Sequence, residues 1–316
     1  MRLSLMSYFP VTTSVPFIRV RFFAFAFSAV LLLASLGVFF AKGLNFGIDF
    51  QGGTLIEVST PQEADLTLIR DTVGGLGLGD VQVQLFGAAN DVLIRIETQP
   101  ATETLGSEEA QQAAANSVQD ALSTAIPGVE FRRTEVVGPK VSSDLVRAGV
   151  LGVLLALGAM LLYIWFRFEW QFSMGAVLAL THDVIATIGM LAVTQFEFNL
   201  ASIAAILTIV GYSMNDTVVV YDRIREDARK YKKTPLPELL NLSINQTLSR
   251  TIMTSFTTLI ALCALFFLGG AVLRSFSFAM IWGIFIGTYS SIFIASPFLL
   301  LTGIKRTAPG EEVATT

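Results

Sequence analysis

The chain has 316 residues, of which 53% are hydrophobic and only 15% are charged, and its formal net charge is −4. Soluble globular domains carry about 25% charged residues, so this composition argues against an ordinary soluble domain and predicts an integral membrane protein. A single cysteine, Cys263, and a single histidine, His182, exclude an intrachain disulfide and the zinc motifs that need paired ligands.

Six uncharged or nearly uncharged stretches follow one another along the chain. Each provides about the 20 apolar residues that a helix needs to cross the hydrocarbon of a membrane. They lie at 22–41, 148–166, 170–196, 198–221, 239–273 and 275–304. We number these predicted helices spans 1 to 6. Span 1 is longer than the apolar segment of about 7–15 residues in a secretory signal peptide, so we interpret it as an uncleaved helix. The sequence therefore predicts a polytopic α-helical membrane protein.

The long connection between spans 1 and 2 has the pattern of a folded domain. Alternating or β-branched segments predict four strands, and segments with helical periodicity predict two helices. The predicted order is a strand at 53–60, a helix at 63–73, strands at 81–86 and 91–97, a helix at 107–125 and a strand at 129–137. This β-α-β-β-α-β order predicts a ferredoxin-like α+β outer domain. The glycine-rich run at 74–80 closes a helix and opens a strand, which is the reverse of a dinucleotide-binding loop, so we interpret it as an ordinary turn.

Lysine and arginine residues in the short connections predict the orientation, because these residues concentrate on the cytoplasmic side. One side of the membrane collects nearly all of them, whereas the opposite short connections contain only Arg274. The first group is Arg2, Arg19, Arg21, Arg167, Arg223, Arg225, Arg229, Lys230, Lys232, Lys233, Lys305 and Arg306. Both termini are therefore expected in the cytoplasm and the outer domain outside it. The predicted organisation is a tail at 1–18, span 1 at 19–41, the outer domain at 42–141, spans 2–6 within 142–304 with a basic cytoplasmic loop at 222–241, and a tail at 305–316.

Three spans carry ionisable side chains, which cost about 2.5–3.5 kcal/mol each at the centre of a membrane helix and are functional by default. Asp183 lies near the middle of span 3, and Asp216 and Arg250 lie in the cytoplasmic thirds of spans 4 and 5. We expect Asp216 and Arg250 to sit at similar depth, where pairing lowers the burial cost of both charges and one proton can switch the pair. His182 and Asn215 adjoin the two acids and are further candidates for proton or ion coupling.

Hydroxyl side chains near these acids are candidate relay groups for protons or ligands for a cation. They are Tyr212, Thr247, Thr254 and Thr258. A static ion pair that only fixes the helix register is the alternative to a functional cluster, and His182 suits either a relay or polar packing. Intramembrane aspartyl proteases also use two membrane aspartates, but their Tyr-Asp and Gly-x-Gly-Asp motifs are replaced here by "THD" and "SMND".

The sequence contains no nucleophile elbow, P-loop or metal-binding box. We therefore expect no enzymatic activity, no cofactor, no metal and no nucleic-acid partner. The energy source is then expected to be an ion gradient across the membrane. An aspartate with hydroxyl neighbours suits either a proton or a sodium ion.

Five stretches carry a resemblance to a known family. They are "GLNFGIDFQGGTLIEV" (43–58), "THDVI" (181–185), "GYSMNDTVVVYDRIRE" (211–226), "NQTLSRTIMTS" (245–255) and "GGAVLRSFSFAMIWGIFIGTYSSIFIASP" (269–297). With these motifs the chain resembles the SecD–SecF family of bacterial protein-export subunits, in its smaller-subunit branch, over nearly the whole chain. That family belongs to the resistance-nodulation-division (RND) type of proton-driven membrane proteins.

The resemblance implies six helices with a large outer domain between the first two, and it makes Asp216 and Arg250 the key membrane pair. Asp49, Gly52 and Gly53 fall in the matching motif at the start of the outer domain. The implied function is that of a translocase subunit which, with SecD, uses the proton-motive force to promote late steps of preprotein translocation through the SecYEG channel, after the SecA-driven steps. A membrane insertase is a further implied partner, and the implied location is the bacterial inner membrane. A proton-driven small-molecule exporter of the same superfamily is the alternative.

Overall fold

The structure is a computed structural model that describes residues 13–100, 106–270 and 272–304. The chain forms two compact units. The membrane unit comprises the described residues of Met1–Leu44, Leu154–Phe196 and Ala201–Thr316, and the outer unit comprises those of Asn45–Val153 and Glu197–Leu200. The predicted tails lie outside the described residues, except for 13–18.

The elements follow in chain order. They are a 3₁₀ turn (Phe17–Val20), α1 (Arg21–Lys42), α2 (Ile48–Gln51), β1 (Gly53–Ser59), α3 (Leu66–Gly74), β2 (Val81–Phe86), β3 (Ala88–Ile96), α4 (Ser107–Ala125), β4 (Glu130–Val137), α5 (Pro139–Arg167), α6 (Trp170–Thr194), α7 (Leu200–Lys230), α8 (Leu236–Leu268), α9 (Val272–Ser290), a π-helical turn (Ser291–Ala295) and α10 (Ser296–Thr302).

Within the described residues, six helices are long and apolar enough to cross a membrane, which confirms the six predicted spans. They are Phe17–Lys42, Pro139–Arg167, Trp170–Thr194, Leu200–Lys230, Leu236–Leu268 and Leu273–Thr302. The last span is built from α9, the π-turn and α10, which run on without a loop between them.

The outer unit confirms the predicted ferredoxin-like order. Its four-stranded sheet has the strand order β2-β3-β1-β4, and every neighbouring pair is antiparallel. Alternate residues of β3, namely Val92, Ile94 and Ile96, are fully buried, as expected for a strand with one face on a core. Ile69 of α3 and Leu122 of α4 join the same hydrophobic cluster, so the two helices cover one face of the sheet. The short α2, which the sequence pattern did not predict, precedes β1 directly.

Small residues allow close packing in the membrane unit. A Cβ atom at Gly189 of α6 would overlap the side chain of Ser35 of α1, and one at Gly175 would overlap the Tyr221 hydroxyl of α7. That tyrosine is 1% exposed, and its hydroxyl donates to the carbonyl of Ala295 at 3.1 Å. These contacts fix α6 against its neighbours, which positions the polar side chains of its central turns.

The predicted basic loop at 222–241 is much shorter in the structure. α7 continues to Lys230 and α8 begins at Leu236, so only 231–235 lie outside a helix. Ion pairs one helical turn apart support the extension of α7, because side chains at i and i+3 face each other. Arg223 Nη1 lies 2.7 Å from Glu226 Oε2, and this pair belongs to the polar end of the helix beyond the apolar run.

Residues 13–18, predicted as part of a free tail, are attached to the start of α8. Asn245 binds the backbone of Val15 twice: its Oδ1 accepts from the Val15 N–H at 2.9 Å, and its Nδ2 donates to the Val15 carbonyl at 2.9 Å. The Ile18 N–H donates to Asn241 Oδ1 at 3.0 Å. The two asparagines lie one turn apart on α8, so together they hold the segment that leads into α1.

Candidate functional site

Asp216 is buried where α7, α8 and the π-turn meet, with 7% of its surface exposed. Its Oδ1 accepts a hydrogen bond from Thr251 Oγ1 of α8 at 2.5 Å. Its Oδ2 accepts one from Ser291 Oγ of the π-turn at 2.5 Å. A carboxylate in a membrane interior needs such donors, because an unpaired buried charge carries a large desolvation cost. The carboxyl group therefore ties three elements together through bonds that depend on its own protonation state.

Asp183 forms a second buried carboxylate site between α6, α7 and α9, and it is fully buried. Its Oδ2 accepts from Ser213 Oγ at 2.5 Å and from Ser290 Oγ at 2.7 Å. Its Oδ1 lies 3.0 Å from Nδ1 of His182, the preceding residue on the same helix. His182 is 2% exposed, and its Nε2 has no hydrogen-bond partner among the described residues. The structure therefore brings both sequence-predicted acids and the histidine into the core of the bundle.

Arg250 does not form the predicted ion pair with Asp216. It directly precedes Thr251, which binds Asp216, so the two charged residues lie on adjoining turns of neighbouring helices. Both Arg250 and Asn215 are exposed on the membrane unit. Among the described residues no carboxylate lies within the 4.0 Å of an ion pair to Arg250, although its charge acts on Asp216 through space.

The reason for this difference is helix geometry. Successive residues of an α-helix point about 100° apart. Asn215 directly precedes Asp216 on α7, and Arg250 directly precedes Thr251 on α8. When the later residue of each pair faces the core, the earlier one lies at the edge of the bundle.

The predicted relay threonines of α8 bond to their own helix rather than to an acid. Thr247 donates to the carbonyls of Ser243 and Ile244, Thr254 to those of Arg250 and Thr251, and Thr258 to that of Thr254. Bonds to carbonyls three or four residues earlier are common for hydroxyl residues inside helices. Within the described part of the chain, Tyr212 is the one predicted relay hydroxyl that reaches another side chain. Its Oη donates to Ser255 Oγ at 3.3 Å, and Ser255 Oγ lies 2.8 Å from Thr288 Oγ1.

Sequence reasoning missed the hydroxyls that bind the two acids. They are Ser213, Thr251, Ser290 and Ser291. On α8 the prediction centred on Arg250, whereas the side chain that binds Asp216 is that of Thr251, one residue later. A signal was present: adjacent serines at 290–291 interrupt an otherwise apolar run, and Thr251 and Ser255 share one helix face at i, i+4 spacing.

Asp49, in the motif at the start of the outer unit, binds the backbone of the first residue of α7. Asp49 Oδ2 accepts from the backbone N–H of Leu200 at 2.9 Å, which satisfies one of the N–H groups that a helix start leaves unpaired. Gly52 and Gly53 have φ angles of +72° and +115°, which L side chains rarely adopt. A Cβ atom at Gly53 would overlap the carbonyl oxygen of Ile96 on β3. The two glycines let the chain turn from α2 into the sheet at this point.

A half-buried ion pair lies near this cap in the outer unit. Arg95 Nη2 is 3.1 Å from Glu197 Oε1, and Arg95 Nη1 also donates to the carbonyl of Phe46 at 2.9 Å. Burial raises the pKa of Glu197 above its ordinary value, and the opposing effect of Arg95 is smaller. The rings of Phe46, Phe50 and Phe198 pack against one another in the same unit, with centroids 5.6–6.1 Å apart.

The two membrane carboxylates can bind and release protons without another ligand. Each has two hydroxyl donors on neighbouring elements, and a hydroxyl can also accept a hydrogen bond once the acid is protonated. Within the described ranges no group of three or more His, Cys, Asp or Glu side chains is placed to hold a metal ion. The chemistry that this geometry supports is the capture and release of a proton or a small cation.

Comparison with known proteins matches the two parts of the chain to one family. The family model for the C-terminal part of the protein export membrane proteins SecD/SecF matches residues 117–305, and the model for the SecD/SecF GG motif matches residues 37–61. The protein translocase subunit SecF of Magnetococcus marinus is 49% identical over 315 residues, which cover 98% of this chain and 100% of that relative. The protein translocase subunit SecF of Cereibacter sphaeroides is 45% identical over 309 residues, which cover 96% and 94%.

A solved structure shows the same fold. The crystal structure of SecDF, a translocon-associated membrane protein from Thermus thermophilus, matches with a TM-score of 0.81 at 37% sequence identity. The match covers 93% of this chain and 39% of that chain, so this chain corresponds to about two fifths of the solved SecDF chain. The GG-motif match includes Asp49, Gly52 and Gly53, and the longer match includes every candidate residue of the membrane unit.

Proposed function

The chain belongs to the SecD/SecF family of protein-export membrane proteins, and on this premise we propose that its buried carboxylates couple an ion gradient to protein export. The substrate is a preprotein in transit through the SecYEG channel, after the steps driven by SecA. The curated relatives are translocase subunits over nearly their full length, which does not favour a small-molecule exporter. The coupling ion in this proposal is the proton.

The observation that carries the proposal is the position of Asp216. A single carboxyl group, 7% exposed, holds α8 through Thr251 and the π-turn through Ser291. Protonation removes its charge, which weakens both bonds and its attraction to the nearby Arg250. One charge that moves through 100 mV supplies roughly 2.3 kcal/mol, enough to bias a two-state arrangement of helices. We infer that this bias is passed to the outer unit, which acts on the emerging polypeptide.

The exposed polar face of α7 and α8 supports SecD as the partner. Asn215 and Arg250 lie on the surface of the membrane unit, together with the exposed hydroxyl residues Thr254 and Thr257. A guanidinium on a membrane-spanning helix is costly in lipid and normally faces a protein neighbour or a polar cavity. We propose that the membrane helices of SecD cover this face and bring a second acidic group toward Arg250. SecYEG and a membrane insertase are further proposed partners.

The proposed location is the bacterial inner membrane, with both termini in the cytoplasm. Its support is the concentration of basic residues at the ends of α5 and α7, namely Arg167, Arg229 and Lys230. On this orientation Asp216 lies nearer the cytoplasmic end of its helix, and the outer unit faces the compartment into which preproteins emerge.

Reconstituted export with the proton and sodium gradients imposed separately tests the proposal. Proteoliposomes that contain this chain, SecD and the channel are expected to export faster with a proton gradient and to ignore a sodium gradient. Stimulation by sodium alone would overturn the choice of ion. Export that is indifferent to both gradients would overturn gradient coupling and leave the acids a static structural role.

A further inference from the structure

The last span contains a π-helical turn whose cause is visible in the sequence. Pro297 has no N–H to donate to the carbonyl of Phe293, four residues earlier, and its ring would crowd that carbonyl. The helix widens just before the proline: Ser291–Ala295 form the π-turn, and the Ser296 N–H bonds to the Ser291 carbonyl, five residues earlier. Isolated π-turns inside α-helices occur frequently at functional sites.

The turn begins with two serines that bind two different carboxylates. Ser290 is the last residue of α9 and donates to Asp183 of α6 at 2.7 Å. Ser291 is the first residue of the π-turn and donates to Asp216 of α7 at 2.5 Å. The two serine residues are 0% and 1% exposed. One peptide bond therefore connects the donors of both acid sites.

Each serine also has a second acceptor within reach. Ser290 Oγ lies 3.1 Å from the carbonyl oxygen of Gly287, and Ser291 Oγ lies 3.1 Å from that of Thr288. A hydroxyl has one proton, so it donates fully to only one of its two acceptors at a time. When a carboxylate takes up a proton, its new O–H can donate to the serine oxygen, and the serine O–H then turns to its backbone carbonyl.

The change of acceptor by the Ser290 hydroxyl connects the Asp183 site and the Asp216 site mechanically. The two backbone acceptors, the Gly287 and Thr288 carbonyls, belong to consecutive residues of α9, just as the two serines are consecutive. When the Ser290 hydroxyl turns to Gly287, the backbone that it shares with Ser291 adjusts. Ser291 then shifts against Asp216, and its own hydroxyl bond changes.

We propose that Ser290 and Ser291 couple the protonation of Asp183 to that of Asp216. Asp183 and His182 then form a second proton-binding site in the membrane unit. The inference rests on the proposed function of Asp216. His182 extends the site, because its ring is buried, contacts Asp183 Oδ1 through Nδ1 and keeps Nε2 without a partner among the described residues. The serines act as positioning residues between the acids.

Among the described residues, few other ionisable groups lie near the two acids. Tyr289 of α9 packs beside His182, with ring centroids 6.0 Å apart, and its hydroxyl donates to the Ala24 carbonyl of α1. Arg250 of α8 acts on Asp216 through space. A substitution at Ser290 removes none of these charges, so it tests the serine link itself.

Infrared difference spectroscopy of the full-length protein with SecD in lipid nanodiscs tests the link. The carboxyl band of Asp216, assigned by its loss in Asp216→Asn, is followed as the pH is varied. We expect Ser290→Ala to move the titration midpoint of that band by about one pH unit, although Ser290 does not bind Asp216. Ser213→Ala is the matched control, because Ser213 donates to the same Oδ2 of Asp183 but lies outside the π-turn.

Two results would overturn the inference. An unchanged Asp216 midpoint in Ser290→Ala would show that the serines do not connect the sites. Equal shifts in Ser290→Ala and Ser213→Ala would show that the acids interact only through their charges. Ser277→Ala controls for folding, since Ser277 is fully buried on α9 and its hydroxyl has no partner within the described residues.

The serine link and the proposed function can be refuted independently of each other. Loss of gradient-stimulated export in Asp216→Asn together with an unmoved midpoint in Ser290→Ala refutes only the link. Normal gradient-stimulated export in Asp216→Asn refutes the proposed function, whatever the infrared bands show. If the link holds, Ser290→Ala also reduces gradient-stimulated export several-fold, whereas Ser277→Ala leaves it at the wild-type rate.

Discussion

Asp183 and Asp216 have similar hydrogen-bond environments but different access to the surface of the bundle. Asp183 is fully enclosed, whereas Asp216 is slightly exposed and follows the exposed Asn215 on α7. Each is held by hydroxyl donors from two neighbouring elements. Under the proposed function, Asp216 is therefore the acid that exchanges a proton at the edge of the membrane unit, and Asp183 is the internal member of the pair.

Removal of one donor from Asp216 tests its role at the residue scale. Thr251→Val keeps the shape of the side chain but removes the hydroxyl that binds Oδ1 at 2.5 Å. A hydrogen bond to a charged group is worth about 1.5–3 kcal/mol, so we expect gradient-stimulated export to fall about tenfold or more. Thr194→Val is the control, because the exposed Thr194 of α6 donates to a carbonyl of its own helix. Equal export rates in the two variants would contradict this role for Thr251.

The acids could be predicted from the sequence, but their partners could not. A lone Asp in an apolar run indicates a functional residue, because burial of a charge in a membrane is costly. Thr251 and Ser291 carry no such signal, since a hydroxyl in a membrane helix can bond to its own backbone. Which residue faces Asp216 depends on the rotation of α8 about its axis, and packing against neighbouring helices fixes that rotation.

At the scale of elements, glycine sets the distance between α1 and α6. Gly189→Ala would place a Cβ atom in the space occupied by Ser35, including its Cα at 2.7 Å, so the two helices must separate. Overpacking of this kind typically costs about 1–3 kcal/mol, and we expect a lower thermal unfolding midpoint in detergent. Gly158→Ala on α5 is the control, since a Cβ there has no neighbour within 4 Å. A Gly189→Ala variant as stable as Gly158→Ala would contradict this packing role.

Regular elements with strong periodicity were predictable, and two irregular ones were not. The helix at 107–125 has the predicted bounds, because its apolar positions repeat at helical spacing. α2 is a four-residue helix, too short for any period to show. The π-turn arises just before Pro297 within an uncharged span, where a proline alone predicts either a kink or an end. α7 continues into the basic segment because ion pairs support the helix there. A count of charged residues alone predicts a loop in this segment.

At the scale of the whole molecule, α7 belongs to both units. Its first residue, Leu200, groups with the outer unit through Asp49, and from Ala201 onward the helix belongs to the membrane unit and carries Asp216. The sequence predicted the outer domain and the membrane helices as separate segments. It gave no sign that Glu197–Leu200 pack with the outer unit, because that contact joins residues about 150 positions apart.

The ion pair beside this cap predicts a pH dependence in the outer unit. Burial raises the pKa of Glu197 in the folded state, so its contribution to stability is present at low pH and is lost as the pH rises through that pKa. We expect the amide-exchange protection of 197–200, corrected for intrinsic exchange, to fall between acidic and neutral pH. Glu197→Gln is expected to abolish this dependence. The same dependence in both proteins would assign it to another group.

The most direct test of gradient coupling compares two aspartates on the same helix. Asp222 lies on α7 beyond Asp216, but its side chain is 45% exposed and pairs with Arg167 at 2.9 Å. The measurement is the initial rate of preprotein export into proteoliposomes, with and without a proton gradient, for wild type, Asp216→Asn and Asp222→Asn. The ratio of the two rates is expected to fall to about one in Asp216→Asn and to stay at the wild-type value in Asp222→Asn, because an exposed ion pair contributes little. A wild-type ratio in Asp216→Asn, with the protein folded and bound to SecD, would contradict proton coupling through this residue.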